Sequence, residues 1–443
     1  MKRGGETNNA GCMSWSSRYR TRSYLRSSLW IVPIAAIILE QVCAAFIHAL
    51  DARYRFQALG FGIEGAKVIA GTVITFALSF VVFTFGSLLV AVQVASGQYT
   101  PRIIATTLLR DNVIRFTVGL FVFALLFAIK TLNSIESVVP QLATLITGLL
   151  GFACLGMFLF LIDYAARFLR PVSLVRQVGE AGLEVMKGVY PEMLADTTPL
   201  PSPPQQPGPV ARMLLHKSSS AIVLAVDVER LFAEAEKSKG VIEFAPQVGD
   251  FVGSEEPLFR LHDGAAAIDD RTLRSAVVLG SERTMEQDPL FAFRILVDIA
   301  IKALSAAIND PTTAVLAMDQ LHRLLRSAGR RNLRTDYLHD RAGNLRVIFR
   351  TPGWDDFVQL AFTEIRFCGA NNIQIARRLR AMIVNLTNSL PAERHPALRR
   401  EAALLDRTLE TLYPFPEDLA LARIPDTQGL GGSSETELTE WAA

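Results

Sequence analysis

The chain has 443 residues, half of them hydrophobic, with 45 Lys and Arg set against 43 Asp and Glu. That balance gives no support to a nucleic-acid partner, and the positive mean hydropathy is high for a soluble protein. Cys12, Cys43, Cys154 and Cys368 are scattered with no CxxC pair, which leaves no disulfide framework or zinc site and suits a reducing compartment.

Residues 1–28 read as a basic arm carrying Lys2, Arg3, Arg18, Arg20, Arg22 and Arg26. A transmembrane domain follows over 29–165, with spans expected at about 29–50, 68–95, 113–132 and 139–162. No charge falls between Lys67 and Arg102, and a helix of about 20 residues already crosses a bilayer core. The third span requires Arg115 and Lys130 to snorkel to the interfaces. Lys and Arg near the span ends favour one side. The arm, Arg102, Arg110 and Arg115, and Arg167, Arg170 and Arg176 outweigh Arg53, Arg55, Lys67 and Lys130. Both termini are therefore expected in the cytoplasm and the protein in a bacterial inner membrane.

Two features inside the membrane stand out. In the second span Thr72, Ser79, Gly86 and Gln93 recur every seven residues, with Thr75 beside them. The spacing keeps them on one stripe of a helix. Such a stripe is either a helix–helix seam or the wall of a water-filled path in an oligomer. Glu40 is the second feature, a costly carboxyl unless it is protonated, paired or wetted.

Beyond the fourth span, 166–210 reads as a juxtamembrane helix and a proline-rich linker, Pro199 to Pro209. An α+β cytoplasmic domain is expected over 211–425 and a disordered tail over 426–443. Ala221 to Val226 reads as a strand, and Asp227 as the cap of the helix after it. The stretch from Val241 to Leu261, with its Gly249-Asp250 turn, looks like the hammerhead of lipoyl-like sandwich domains. It has no lysine to carry a cofactor. Helices are expected from Leu290, from Pro311 to Arg326, and over 355–367, 372–390 and 392–412, with a strand from Leu345 to Arg350.

The stretch Asn309-Asp310-Pro311 divides two of those helices. Asp is a favoured N-cap, Pro a favoured first helical residue and Asn a residue that tolerates the left-handed conformation. The corner needs no chemistry, although cation binding by Asp310, or contact with Arg283, Asp288 or Arg294, stays open. Arg323, Arg326, Arg330, Arg331 and Arg334 form a basic run that is either a solvated face or a contact for anionic lipid. No HExxH, GxSxG, Walker loop or GxGxxG occurs, and the six histidines show no metal spacing. No catalytic residue, metal or cofactor is expected.

Four strings together resemble one family: ASGQYTPRIIATTLLRDNV (Ala95 to Val113), GDFVGSEEPL (Gly249 to Leu258), ERTMEQDPLFAFRILVDIAIKALSAAINDPTTA (Glu282 to Ala314) and FTEIRFCGANN (Phe362 to Asn372). The sequence is similar to the bacterial predicted membrane proteins of domain of unknown function 2254. The resemblance implies four membrane helices before a cytoplasmic domain. It singles out the segment with Asp298, Ser305, Asn309, Asp310, Pro311 and Thr313, in which Ala306 stands where proline is expected. It implies no reaction. The expectation drawn from these features is a homo-oligomeric channel or transporter for ions or small solutes, gated by its cytoplasmic domain. The alternative is a membrane-anchored sensor or scaffold.

Overall fold

The computed structural model describes residues 15–28, 30–54, 60–98, 111–136, 138–168, 170–194, 207–333 and 336–431. Residues 1–14, the loop with Arg102 and Arg110, the 195–206 part of the linker, Arg334 and residues 432–443 lie outside them. The chain divides into two units, one of residues 24–174 and one of residues 1–23 with 175–443.

A helix α1 (Trp15–Ser27) precedes four helices long and apolar enough to cross a membrane: α2 (Ile31–Tyr54), α3 (Ile63–Gln98), α4 (Asn112–Asn133) and α5 (Gln141–Phe168). α4 is the central one and packs against the other three. Small residues let the backbones approach, as membrane helices require. A Cβ on Gly119 would lie 3.0 Å from Val32, and Ala66, Ala70, Ala77 and Ala91 line the inward face of α3. Phe80, Phe121 and Phe158 fill the centre, with ring centroids 5.5 and 4.1 Å apart. Ile38, Val42, Phe46, Val82, Leu89 and Phe152 are exposed on the outside, where lipid would cover them.

The ends of this bundle are fixed by capping across helices. Asp51 of α2 accepts from the Leu142 and Ala143 amides at the start of α5, at 3.3 and 3.2 Å, the end of a helix that favours negative charge. Asp111 caps α4 through the Ile114 amide at 3.1 Å and accepts from the Tyr164 hydroxyl.

The second unit begins along α6 (Pro171–Val189) and continues β1 (Val210–Leu215), β2 (Ala221–Val226), α7 (Val228–Ser238), β3 (Gly240–Phe244), β4 (Phe251–Val252) and β5 (Pro257–Asp263). Then come α8 (Asp270–Ser275), β6 (Val277–Gly280), α9 (Pro289–Ala303), α10 (Pro311–Gly329), β7 (Tyr337–His339) and β8 (Leu345–Phe349). Four helices close it: α11 (Trp354–Gly369), α12 (Ile373–Ser389), α13 (His395–Leu412) and α14 (Pro416–Arg423). One sheet has the order β1-β5-β3-β8-β7 and a second β4-β2-β6. All pairings are antiparallel except β3 with β8. Asp227 caps α7 through the Arg230 amide at 3.2 Å, as its position in the sequence suggests. Phe244, Phe259, Leu261 and Val347 form the sheet core with Leu231 of α7.

The strands on either side of Gly249-Asp250 are present as β3 and β4, with β4 leaving to pair with β2 in the other sheet. The surrounding sheet is mixed, so the likeness to a lipoyl hammerhead stays confined to that stretch. The expected disorder from Asp426 is corrected: residues 426–431 are a packed loop. The buried Asp426 carboxylate accepts from the amides of Gln428, Gly429 and Gly431 at 3.0, 2.8 and 2.6 Å. Composition suggests disorder there, but one acid among small residues collects backbone donors as an Asx turn does.

Candidate functional site

The polar stripe of α3 faces outward. Thr72, Thr75, Ser79, Gly86 and Gln93 are all exposed in the four-helix unit, whereas Ala66, Ala70, Val73, Ala77, Phe80, Thr84 and Ala91 are buried. At 3.6 residues per turn the two sets lie half a turn apart. Within one chain the stripe is therefore not the seam; the alanine face is. Thr75 satisfies its own hydroxyl by donating to the Gly71 carbonyl at 2.9 Å.

Glu40 is elsewhere. It is fully buried near the middle of α2, and one carboxylate oxygen accepts from the Gln41 amide at 2.8 Å. Its other oxygen has no hydrogen-bond partner among the described residues. Gln41 in turn accepts from the Lys130 ammonium of α4 at 3.3 Å. Lys130 thus finds a polar partner on α2, as charges in a membrane helix do where they can. Arg115 is buried and donates to the Leu25 carbonyl at 2.9 Å, at the α1 end of the bundle. Glu40 and the α3 stripe are not brought together. The link from Gln41 to Lys130 and the capping role of Asp51 escaped the sequence reading because a polar residue in a span carries no mark of its partner.

In the second unit the corner is built as its residues suggest. Asn309 has φ +46°, in the left-handed region. Asp310 caps α10, accepting from the Thr313 amide at 3.1 Å and the Thr313 hydroxyl at 2.5 Å. Arg283 pairs with Asp288, and Arg294 with Asp298 and Glu364. Asp310 thus spends both oxygens on its own helix, while the partners proposed for it hold one another or Glu364.

Three of the family-like strings meet here. Gly249, at φ +90°, lies so close to Arg283 and Asp288 that a Cβ would collide with both side chains. Asp288 is buried, caps α9 through the Phe291 amide at 3.1 Å, and is pushed above the usual carboxylate value by burial despite Arg283. Further along, Arg294 of α9 binds Glu364 of α11, and Gly369 abuts Leu304. The 282–314 string therefore forms a spine, held by the 249–258 turn at its start and by the 362–372 string along its length. Thr284, on this spine, has a buried hydroxyl without a hydrogen-bond partner among the described residues.

Of the basic run, Arg323 and Arg326 are exposed on α10 and Arg330 is exposed just past its end. Arg331 is structural: its guanidinium donates to the Tyr190 and Pro191 carbonyls at 2.5 and 3.3 Å, and its carbonyl accepts from Arg394 at 2.9 Å. α6 runs beside α10, and a Cβ on Gly182 would stand 2.8 Å from Ala292 and 3.1 Å from Leu324. Among the described residues no group of three or more His, Cys, Asp or Glu is placed to hold a metal ion.

Residues 26–385 match the profile of a family described as predicted membrane protein, domain of unknown function 2254. The chain belongs to that family. An uncharacterized protein of Mycobacterium tuberculosis and one of Mycobacterium bovis are each 24% identical over 421 residues, covering 90% of this chain and 79% of theirs. No solved structure matches the chain. The family match takes in all four spans and ends within α12. The loop 424–431, whose Ile424 and Gly431 carbonyls receive the buried Arg377 guanidinium at 3.1 and 2.9 Å, lies beyond it.

Proposed function

We propose that copies of this protein self-associate in a bacterial inner membrane through the outer face of α3, and pass a small ion or solute along the line where those faces meet. The observation that carries this reading is the outward stripe of Thr72, Thr75, Ser79, Gly86 and Gln93. Against lipid such groups gain little; against the same stripe on a neighbour they gain hydrogen-bond partners or a wetted path. The distribution of Lys and Arg supports an orientation with both termini in the cytoplasm. The unit of residues 175–443 is the control element. α6 follows the last span after two residues and is packed into that unit at Gly179 and Gly182, so a movement of the unit reaches the span through the chain itself. This reading assigns no enzymatic reaction, and it keeps the hammerhead-like stretch 241–261 as scaffold only.

The test is ion flux into liposomes containing the full chain, with a Thr75→Leu, Ser79→Leu, Gln93→Leu variant alongside. The variant should lose flux and remain folded, because none of the three residues lies in the bundle seam. Undiminished flux through it would remove the path from α3.

A second reading, a membrane-anchored sensor or scaffold without transport, is favoured by Glu40. That carboxyl is buried and linked through Gln41 to Lys130 of α4, on another helix than the stripe. It predicts no flux from the wild type for any ion tried, and a partner retained by the full chain irrespective of the α3 substitutions.

A further inference from the structure

The segment before the first span is a helix of unusual charge. α1 carries Arg18, Arg20, Arg22 and Arg26 in thirteen residues and contains no acid. Arg18 and Arg20 are exposed, as are Ser17 before them and Thr21 after them. Three residues separate α1 from α2, so these cations stand immediately next to a membrane span.

The junction itself has an aromatic and basic character. Tyr24 and Trp30 are 55% and 51% exposed and meet edge to face, with ring centroids 6.2 Å apart. Rings with a polar tip settle at the level of lipid headgroups. Arg115 of α4 reaches the Leu25 carbonyl at 2.9 Å, and Ser28 bonds back to Tyr24. The last turn of α1 is thereby fixed to the same end of the bundle as Asp111 and Tyr164.

We infer that α1 is a binding surface for anionic phospholipid headgroups, a role not assigned to it by the proposed transport or by the basic run on α10. The helix is too polar to sink into acyl chains; its contact is electrostatic, at the headgroup layer, with Tyr24, Leu25 and Trp30 as the anchoring edge. Guanidinium forks suit phosphate, which they bind with two parallel donors. Each arginine near an anionic leaflet strengthens the attraction about fivefold. The surface is independent of whether anything crosses the membrane.

The experiment places a spin label at Ser17→Cys in a Cys12→Ser, Cys368→Ser background of the full chain, reconstituted in nanodiscs. The discs contain phosphatidylcholine alone or phosphatidylcholine with phosphatidylglycerol. We expect the label to be immobilised only in the anionic discs. Mobility should return as salt shortens the Debye length from about 10 Å to about 3 Å. Replacing the four arginines with Gln should abolish the lipid dependence, and replacing them with Lys should retain most of it. Equal immobilisation in zwitterionic discs, or immobilisation that survives both salt and the Gln variant, would mean that protein holds the helix, and would overturn the inference. If the Gln variant fails to fold, the lipid and salt arms on the wild type still decide.

Discussion

In the four-helix unit the buried hydroxyls of Thr84, Thr131 and Thr147 donate to the Phe80, Phe127 and Ala143 carbonyls of their own helices at 2.7, 2.9 and 2.8 Å, and Thr147 also reaches the Thr131 hydroxyl across α4 and α5 at 3.2 Å. In the mixed unit the buried polar groups reach across elements instead. Arg377 on α12 holds the carbonyls of Ile424 and Gly431, Arg366 on α11 faces Glu401 on α13, and Arg378 binds Asp319 on α10. Such a difference is what folding in lipid and folding in water would each demand. In lipid a polar group must be satisfied before its neighbours arrive, so the helix serves itself. In water a guanidinium stays hydrated until its partner is in place, so distant segments can share it. The middle of the first unit is accordingly held mainly by shape, with cross-helix caps at its ends, and the second by shape plus charged links between elements.

Substitutions in the two units test that contrast. The largest effect is expected at Asp288. Asp288→Ala removes the partner of Arg283 and the cap of α9 together, and should cost about 3 kcal/mol. Asp288→Asn keeps a capping side chain and should cost less than half as much. Amide exchange along α9, followed in the full chain, reads both; equal loss in the two variants would mean that the cap contributes nothing.

Glu401 gives a smaller, pH-dependent effect. Burial raises its carboxyl above the ordinary value, against the lowering influence of Arg366 and Arg400. The folded chain therefore holds this proton more tightly than the unfolded chain. The stabilisation is complete below the unfolded value and is lost as pH rises through the raised folded value. Thermal midpoints of the wild type should fall over that interval, and Glu401→Gln should flatten the fall. A slope unchanged in the variant would assign it to other groups.

The smallest effect is expected in the bundle. Thr84 is buried, yet its hydroxyl only shares a carbonyl that its own helix already satisfies. Thr84→Val should change stability by less than about 0.6 kcal/mol in detergent unfolding. A loss comparable to that of Asp288→Ala would erase the distinction between the units.

The same distinction explains what the sequence disclosed. The spans are legible because lipid imposes a charge-free length on each, and the 309–311 corner because Asn, Asp and Pro each have a local conformational preference. The parallel pairing of β3 with β8 was out of reach: about a hundred residues separate Ile242 from its partner Val347, and nothing in either strand names the other. Nor could spacing alone tell the outward stripe of α3 from an inward one, since the two faces differ only in what packs against them. Arg283, Asp288, Glu364 and Arg377 are visible as charges in the sequence, but their partners are set by tertiary packing.

Asp51 has a consequence in time. Its carboxylate waits at the end of α2 for two amides of α5 that lie 91 and 92 residues further along the chain. At ribosomal rates of about 5–20 residues per second, that wait lasts roughly 5–18 s. Throughout it the acid lacks the two amides that cap it in the finished bundle. The first span therefore enters the membrane with an unfinished end, and the arrival of the fourth completes it.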